Sequence, residues 1–140
     1  MIIYLDTGSL VKLYVEETHA TKVREWVEEA ELVATCRVAF PETISALDRR
    51  FREGDFSKQD YELLIGGFAK DWQNFVVLDF DEIESGRLAS RYGLRGFDAV
   101  HLSSAKIIRG DADLVLYFSC FDEKLNKAAV AEGLEVLLPD

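Results

Sequence analysis

The chain of 140 residues carries 26 acidic and 16 basic side chains, so its formal net charge is −10. This charge disfavours non-specific binding of nucleic acid over the whole surface, although it leaves room for a local basic groove. Apolar residues make up 49% of the chain, which excludes disorder, and no apolar run approaches the roughly 20 residues that span a bilayer. We therefore expect a single domain over residues 1–140 with no membrane partner.

The chain contains two cysteines, and its N-terminus lacks the basic region and apolar stretch of a signal peptide. We therefore expect a cytoplasmic protein in which Cys36 and Cys120 are free thiols. A disulfide between them is the less favoured alternative.

Strand-like apolar runs alternate with helical patterns along the chain. The first half predicts a strand at 2–5, helices at 9–17 and 20–29, a strand at 32–35, and helices at 39–53 and 57–74. The second half predicts a strand at 75–78, helices at 81–93 and 97–108 (the latter stopped by Gly110), a strand at 114–118, a helix at 122–133 and a strand at 135–138. This alternation is typical of a three-layer α/β/α fold with a central parallel sheet of about five strands.

The first strand ends on Asp6, and the chain then enters a helix. Open α/β sheets bind their ligands at this position, so Asp6 is a candidate site residue. Residues 6–9 also read Asp-Thr-Gly-Ser, as in aspartic proteases, but those enzymes hold two aspartates between symmetric all-β lobes. A receiver domain would need a second acid beside Asp6 and a lysine after the last strand, and a haloacid-dehalogenase-type phosphatase would need an aspartate in place of Gly8. The sequence meets none of these requirements.

Three further acids, Glu42, Asp98 and Asp122, follow predicted strands or begin predicted helices. Singly, each is explained by a favourable interaction with the helix dipole of about 0.3–1 kcal/mol. Asp6 is harder to explain as a helix cap, because its neighbours could fill that role. Together, four acids on one sheet edge would repel by roughly 4 kcal/mol per pair at 4 Å and an effective dielectric of 20, so they need protons or a cation. A site that contains only oxygen ligands favours Mg²⁺ or Mn²⁺.

Four segments of the chain together resemble the motifs of PIN domains, and specifically of VapC-type toxins from type II toxin–antitoxin pairs. The segments are 4–17, 41–47, 97–105 and 121–129. The resemblance implies a Mg²⁺-dependent endoribonuclease that cleaves RNA with a metal-activated water, together with a cognate antitoxin and a homodimer. It also implies that the metal ligands and catalytic residues are Asp6, Glu42, Asp98 and Asp122.

Two positions depart from the family pattern. Gly8 replaces a small polar residue, and Cys120 replaces a Thr or Ser two positions before Asp122. These departures support an alternative function, a catalytically degenerate PIN-like module that binds RNA or protein. His101 lies one helical turn from Asp98, where either a packed histidine or a general acid is conceivable, and the packed histidine is favoured.

Several basic residues lie near the candidate acids in sequence, and they could contact the RNA backbone. They are Lys12, Arg49, Arg50, Arg52, Arg91 and Arg95. Most are expected to belong to solvated helix faces, so we expect only one or two to contact phosphate. The basic residues of an antitoxin are an alternative source of positive charge among the acids.

Overall fold

The structure is a computed structural model that describes residues 1–109 and 115–139. These residues form five strands, and consecutive strands are connected by one or two helices. In chain order they are β1 (Ile2–Leu5), α1 (Thr7–Val11), α2 (Ala20–Glu29), β2 (Leu32–Cys36), α3 (Ala39–Arg52), α4 (Lys58–Trp72), β3 (Val76–Leu78), α5 (Glu82–Tyr92), α6 (Gly96–Arg109), β4 (Leu116–Ser119), α7 (Glu123–Ala131) and β5 (Glu135–Val136).

The strands form one parallel sheet in the order β3-β2-β1-β4-β5, as the alternating pattern predicts. Strand β1 is central, and the chain builds outward from it first through β2 and β3 and later through β4 and β5. The strand order therefore reverses between β1 and β4. In open α/β sheets this reversal leaves a crevice at the carboxyl ends of the strands, where ligands bind.

Side chains of β1 alternate between two hydrophobic cores, one on each face of the sheet. Ile2 and Tyr4 pack into the core that contains residues of α5, α6 and α7. Ile3 and Leu5 pack into the core that contains residues of α1, α2, α3 and α4. All four side chains are buried, which explains why the strand is continuously apolar. The three-layer α/β/α prediction is confirmed.

Most helices begin and end close to the predicted boundaries, and several of these ends are capped. The side chains of Ser57, Asp81 and Asp122 each accept a hydrogen bond from the backbone N–H three residues later, at 3.0, 2.9 and 2.8 Å. Gly93 ends α5 in the left-handed conformation, with φ at 66°, and Gly54 follows α3 with φ at 88°. These local signals are strong because each satisfies a backbone group that the helix end leaves unpaired.

The first predicted helix is wrong in both of its boundaries. Helix α1 covers Thr7–Val11 instead of 9–17, because Asp6 itself caps it two residues earlier than expected. The following residues form tighter turns, in which Lys12 N–H bonds to the Ser9 carbonyl at 3.1 Å and Tyr14 N–H bonds to the Val11 carbonyl at 2.9 Å. The predicted strand at 135–138 is also shorter, since β5 covers only Glu135–Val136. The predicted stop at Gly110 and strand start at Leu114 lie outside the described residues.

Helix α6, which carries Asp98, is tied to its neighbours by an ion-pair network. The Lys106 ammonium on α6 bonds to Glu84 on α5 at 2.8 Å and to Glu132 after α7 at 2.7 Å. These partly buried groups link α6 to α5 and to the end of α7.

Cys36 and Cys120 are both buried and unbridged, which confirms the prediction of free thiols. Within residues 1–109 and 115–139, no helix has the length and apolar character needed to cross a bilayer.

Candidate active site

Asp6 lies at the carboxyl end of the central strand β1 and is 7% exposed. Its Oδ1 accepts a hydrogen bond from Ser9 N–H at 2.8 Å, so it is the N-cap of α1. Asp6 was harder than the other acids to explain as a cap from the sequence, yet it caps α1 in place of its neighbours. Burial raises the pKa of this carboxyl above its usual range, and the charge of Asp98 raises it further. His101 and the hydrogen bonding of Ser9 act in the opposite direction but do not cancel the effect of burial.

Glu42 lies in the first turn of α3, where the sequence predicts it. Its Oε1 accepts a hydrogen bond from Thr7 Oγ1 at 2.6 Å and lies 3.3 Å from His101 Nε2. Burial favours the protonated carboxyl, but hydrogen bonds from His101 and Thr7 outweigh that effect, so the pKa of Glu42 falls below its usual range. Glu42 is thus held as an anion at the end of the sheet.

Asp98 and Asp122 complete the set of predicted acids. Asp98 lies in the first turn of α6, and its pKa is raised mainly by burial and then by the Asp122 charge. Asp122 is an exposed N-cap of α7 whose Oδ1 accepts a hydrogen bond from Leu125 N–H at 2.8 Å. Both residues therefore lie at the N-terminal end of a helix, and the charge of Asp122 acts on Asp98.

The four acids surround one region at the carboxyl edge of the sheet. Asp6, Glu42 and Asp122 line a cleft of about 580 Å³. Asp98 lines an adjoining groove of about 680 Å³, which it shares with Glu42. The basic residues on the wall of the cleft are Lys12, Arg49, Arg50 and Arg95.

The side chains of this region do not form a finished ligand shell. Within the described part of the chain, no three His, Cys, Asp or Glu side chains lie close enough together to hold a metal ion. The hydrogen bonds of Asp6, Glu42 and Asp122 each engage one carboxylate oxygen, Oδ1, Oε1 and Oδ1 respectively. The four acids therefore lie at the same edge of the sheet, as predicted. Among the described residues, however, their side chains are not close enough together to form a cluster of metal ligands.

The chemistry of the donor set fits a hard divalent cation. All four groups are carboxylates, and the second oxygen of Asp6, Glu42 and Asp122 accepts no hydrogen bond from the described residues. The raised pKa of Asp6 and of Asp98 shows that burial and mutual repulsion work against their ionisation. A bound cation relieves both effects, and oxygen-only donors favour Mg²⁺ or Mn²⁺.

His101 is a packed histidine, as the favoured interpretation predicts. The residue is 2% exposed, and its ring nitrogens contact Tyr4 Oη at 2.8 Å and Thr7 Oγ1 at 3.0 Å. Because both nitrogens are engaged inside the protein, the geometry does not support the alternative role as a general acid. The sequence does not predict that Tyr4 and Thr7 are the partners of His101, because no local pattern connects residues that are almost 100 positions apart.

A model of the PIN domain family matches residues 3–131 of the chain. The chain belongs to the PIN domain family. It is 31% identical to Ribonuclease VapC45 of Mycobacterium tuberculosis, over 96% of this chain and 94% of that protein. Together these matches confirm the VapC-type resemblance.

Solved structures show the same fold at lower sequence identity. VapBC2 from Rickettsia felis, bound to a DNA fragment from its promoter, aligns with a TM-score of 0.67 at 15% identity, covering all of both chains. VapC20 of Mycobacterium tuberculosis, described as a sarcin-ricin loop cleaving toxin, aligns with a TM-score of 0.63 at 15% identity, covering 98% of this chain and 99% of its own. These structures confirm the α/β/α architecture of this PIN domain.

The two departures from the PIN pattern, Gly8 and Cys120, both lie near Asp6. A Cβ at Gly8 would lie 3.6 Å from Asp6 Oδ1, an ordinary van der Waals distance, so a small side chain fits there. Cys120 is fully buried, its thiol donates to the Asp122 carbonyl oxygen at 3.5 Å, and burial raises the pKa of the thiol. Cys120 therefore supports the loop before Asp122 as a neutral group.

We expect Gly8→Ser to increase the affinity of this PIN domain for Mn²⁺ or Mg²⁺ by up to about tenfold, because its hydroxyl would lie beside the Asp6 carboxylate. Serine also has a higher helix propensity than glycine, so α1 should not be weakened. Isothermal titration calorimetry with each ion would measure the effect. Gly8→Ala, which adds the Cβ without the hydroxyl, is the matched control. Equal affinities for the Ser and Ala variants would contradict a role for the hydroxyl.

Proposed function

We propose that this PIN domain is a Mg²⁺-dependent endoribonuclease, for which Mn²⁺ can substitute, and that it acts as the toxin of a type II toxin–antitoxin pair. The observation that carries the proposal is the acid-lined cleft at the switch point of the sheet. Its support is the 31% identity to a VapC ribonuclease over almost the whole chain.

In this proposal Asp6, Glu42, Asp98 and Asp122 hold the ion. When bound, the ion supplies positive charge to the scissile phosphate and a more acidic water. Glu42 contributes a carboxylate kept anionic by its hydrogen bonds. Asp98, which lies in the first turn of α6, is proposed to accept a proton from the attacking water.

We further propose a homodimer and a cognate antitoxin as the protein partners. The antitoxin proposal is supported by the structural likeness to a toxin–antitoxin complex from Klebsiella pneumoniae, which aligns with a TM-score of 0.63 at 17% identity. The net charge of −10 and the acid-lined cleft suit a partner that offers basic side chains. Such side chains would lie among the carboxylates and block the cleft.

Two arginines of the cleft wall are the best candidates to bind the RNA backbone. Lys12 and Arg50 both pair with Glu17, so their charges are already partly neutralised. Arg49 and Arg95 have no carboxylate oxygen within ion-pair distance among residues 1–109 and 115–139. We propose that these two guanidinium groups contact phosphates on the two sides of the cleft.

Replacement of either arginine by glutamine is expected to weaken RNA binding and to make it less sensitive to salt. Each lost phosphate contact should lower the slope of log affinity against log salt concentration by about 0.7 for single-stranded RNA. Fluorescence anisotropy in EDTA, on an Asp6→Asn background that prevents cleavage, would measure the slope. Arg52→Gln is the matched control, because Arg52 is exposed and already paired with Asp48 at 2.7 Å. An unchanged slope for both Arg49→Gln and Arg95→Gln would contradict this assignment.

The proposed activity is tested by incubating the purified protein with a panel of structured RNAs, including several tRNAs and a ribosomal stem-loop. We expect cleavage in Mg²⁺ or Mn²⁺ and none in EDTA. Asp6→Asn protein purified in parallel controls for contaminating nucleases. Absence of cleavage of every RNA, together with no ion-induced change in melting temperature, would reject the enzyme and favour the degenerate binding module.

A further inference from the structure

A chain of buried polar groups connects the central strand to one of the candidate acids. It runs from Tyr4 on β1 to His101 on α6, then to Thr7 on α1 and Glu42 on α3. The contacts are 2.8 Å from Tyr4 Oη to His101 Nδ1, 3.0 Å from His101 Nε2 to Thr7 Oγ1, and 2.6 Å from Thr7 Oγ1 to Glu42 Oε1. Tyr4 is fully buried and His101 is 2% exposed, so their contact is shielded from water, whereas Thr7 and Glu42 are partly buried and line the cleft.

The donors in this chain can be assigned from the number of hydrogens that each group carries. The Glu42 carboxylate only accepts, so the single hydroxyl hydrogen of Thr7 points to Glu42. Thr7 Oγ1 must then accept from His101, which places a hydrogen on Nε2. That N–H also lies 3.3 Å from Glu42 Oε1 and is shared between the two oxygens. In the neutral ring Nδ1 is unprotonated, and it accepts the hydrogen of the Tyr4 hydroxyl.

The ring itself is held in place by packing on the same face of the sheet. The Tyr4 and His101 rings meet edge to face, with centroids 5.8 Å apart and planes at 76°. Tyr4 in turn stacks on Phe118 of β4, with centroids 5.5 Å apart. The Nε2–H direction is therefore set by the core, and it does not depend on solvent or on the mobile ends of surface side chains.

We propose that His101 is a positioning residue whose Nε2–H, required by the acceptors Thr7 and Glu42, orients Thr7 and Oε1 of Glu42 and leaves Oε2 for the ion. This inference rests on the proposed function, because it assigns His101 a purpose within that site. The inference goes beyond the proposed function, since it concerns a residue that is proposed to contact neither the ion nor the RNA.

The inference is tested first on the tautomer, by a measurement that requires no activity. Long-range ¹H–¹⁵N spectra of protein labelled with ¹⁵N-histidine distinguish the Nε2–H ring from the Nδ1–H ring. We expect His101 to be the Nε2–H tautomer in wild type and also in Tyr4→Phe, because Thr7 and Glu42 still require a donor at Nε2. An Nδ1–H ring in wild-type protein would overturn the inference.

Two substitutions of His101 then separate positioning from packing. Glutamine can place an N–H near the position of Nε2, whereas asparagine places its polar atoms near Nδ1 and removes the donor that Thr7 and Glu42 share. We expect His101→Asn to lower both Mn²⁺ affinity and kcat for RNA by about 10–100-fold at unchanged KM, and His101→Gln to keep most of both. If both variants lost Mn²⁺ affinity and kcat equally, and these losses followed the drop in melting temperature, His101 would have only a packing role.

Thr7 provides a second pair of variants if both His101 variants fold poorly. Thr7→Ser keeps the hydroxyl, whereas Thr7→Val keeps the shape and removes it. We expect the serine variant to retain ion affinity and the valine variant to lose it, and equal affinities would contradict the inference. A wild-type protein with the Nε2–H tautomer that binds Mn²⁺ but cleaves no RNA would reject the proposed function and still support positioning of Glu42 by His101.

Discussion

Asp6→Asn is expected to lower the rate of RNA cleavage by roughly 10²–10⁴-fold while leaving the protein folded. The substitution removes the charge of the carboxylate at the end of β1. Asparagine Oδ1 can still accept the hydrogen bond that Ser9 N–H donates at 2.8 Å, so α1 keeps its cap. Activity is measured as initial cleavage rates at saturating Mg²⁺, and folding by circular dichroism.

The same variant should be more stable than wild type at neutral pH in EDTA. The pKa of Asp6 is higher in the folded protein than its usual value of 3.8, so ionisation of this buried group destabilises the fold. This cost is absent below the unfolded-state pKa and grows as pH rises through the folded-state pKa. The gain in melting temperature from Asp6→Asn should therefore be largest at neutral pH and disappear as pH falls towards 3.8.

Asp81→Asn is the matched control for this prediction. Asp81 also caps a helix, α5, and its Oδ1 accepts a hydrogen bond from Glu84 N–H at 2.9 Å, but it is exposed and does not line the cleft. Its replacement should leave cleavage unchanged. If Asp6→Asn lost stability and activity together, Asp6 would have to be regarded as a structural cap.

Divalent ions are expected to stabilise the wild-type protein substantially. A ligand that binds only the folded state at a concentration 100-fold above its dissociation constant adds about 2.7 kcal/mol. For a domain of this size, that corresponds to a rise in melting temperature of roughly 8–12 °C. The rise follows because the ion binds the folded state, where it offsets the burial and the mutual repulsion that raise the pKa of Asp6 and Asp98. Differential scanning fluorimetry against Mg²⁺ and Mn²⁺ measures it, with NaCl of equal ionic strength as the control.

The double variant Asp6→Asn, Asp98→Asn separates this effect from general screening of the acidic surface. It keeps most of the net charge of −10 but loses two of the proposed ligands. We expect its melting temperature to respond no more to Mg²⁺ than to NaCl. A response equal to that of wild type would mean that the ion binds elsewhere on the protein.

The general architecture of this PIN domain could be predicted from local patterns. Continuously apolar strands alternating with helices are enough to predict a parallel sheet, and caps such as Ser57, Asp81 and Asp122 depend only on residues three positions away. The extent of α1 could not be predicted in this way. Leu10, Leu13 and Tyr14 have helical spacing, but beyond Val11 the chain continues in tighter turns that present the same side chains to the core.

The candidate site could be predicted at the level of the sheet and only partly at the level of atoms. Parallel strands bring Asp6, Glu42 and Asp122 to one edge because of their positions in the sequence. The orientation of each carboxylate depends on partners such as Thr7 and His101, which are far from Glu42 in the chain. Such contacts arise from tertiary packing, which local periodicity does not encode.

The most direct test of the central claim is the rate of RNA cleavage as a function of Mg²⁺ concentration, measured in parallel with Mg²⁺ binding for wild type and Asp98→Asn. We predict that wild-type cleavage is absent in EDTA and saturates with the same midpoint as ion binding, and that Asp98→Asn shows weaker binding and much slower cleavage. Cleavage at full rate in EDTA, or at equal rates by both proteins, would contradict a metal-dependent site built from these carboxylates.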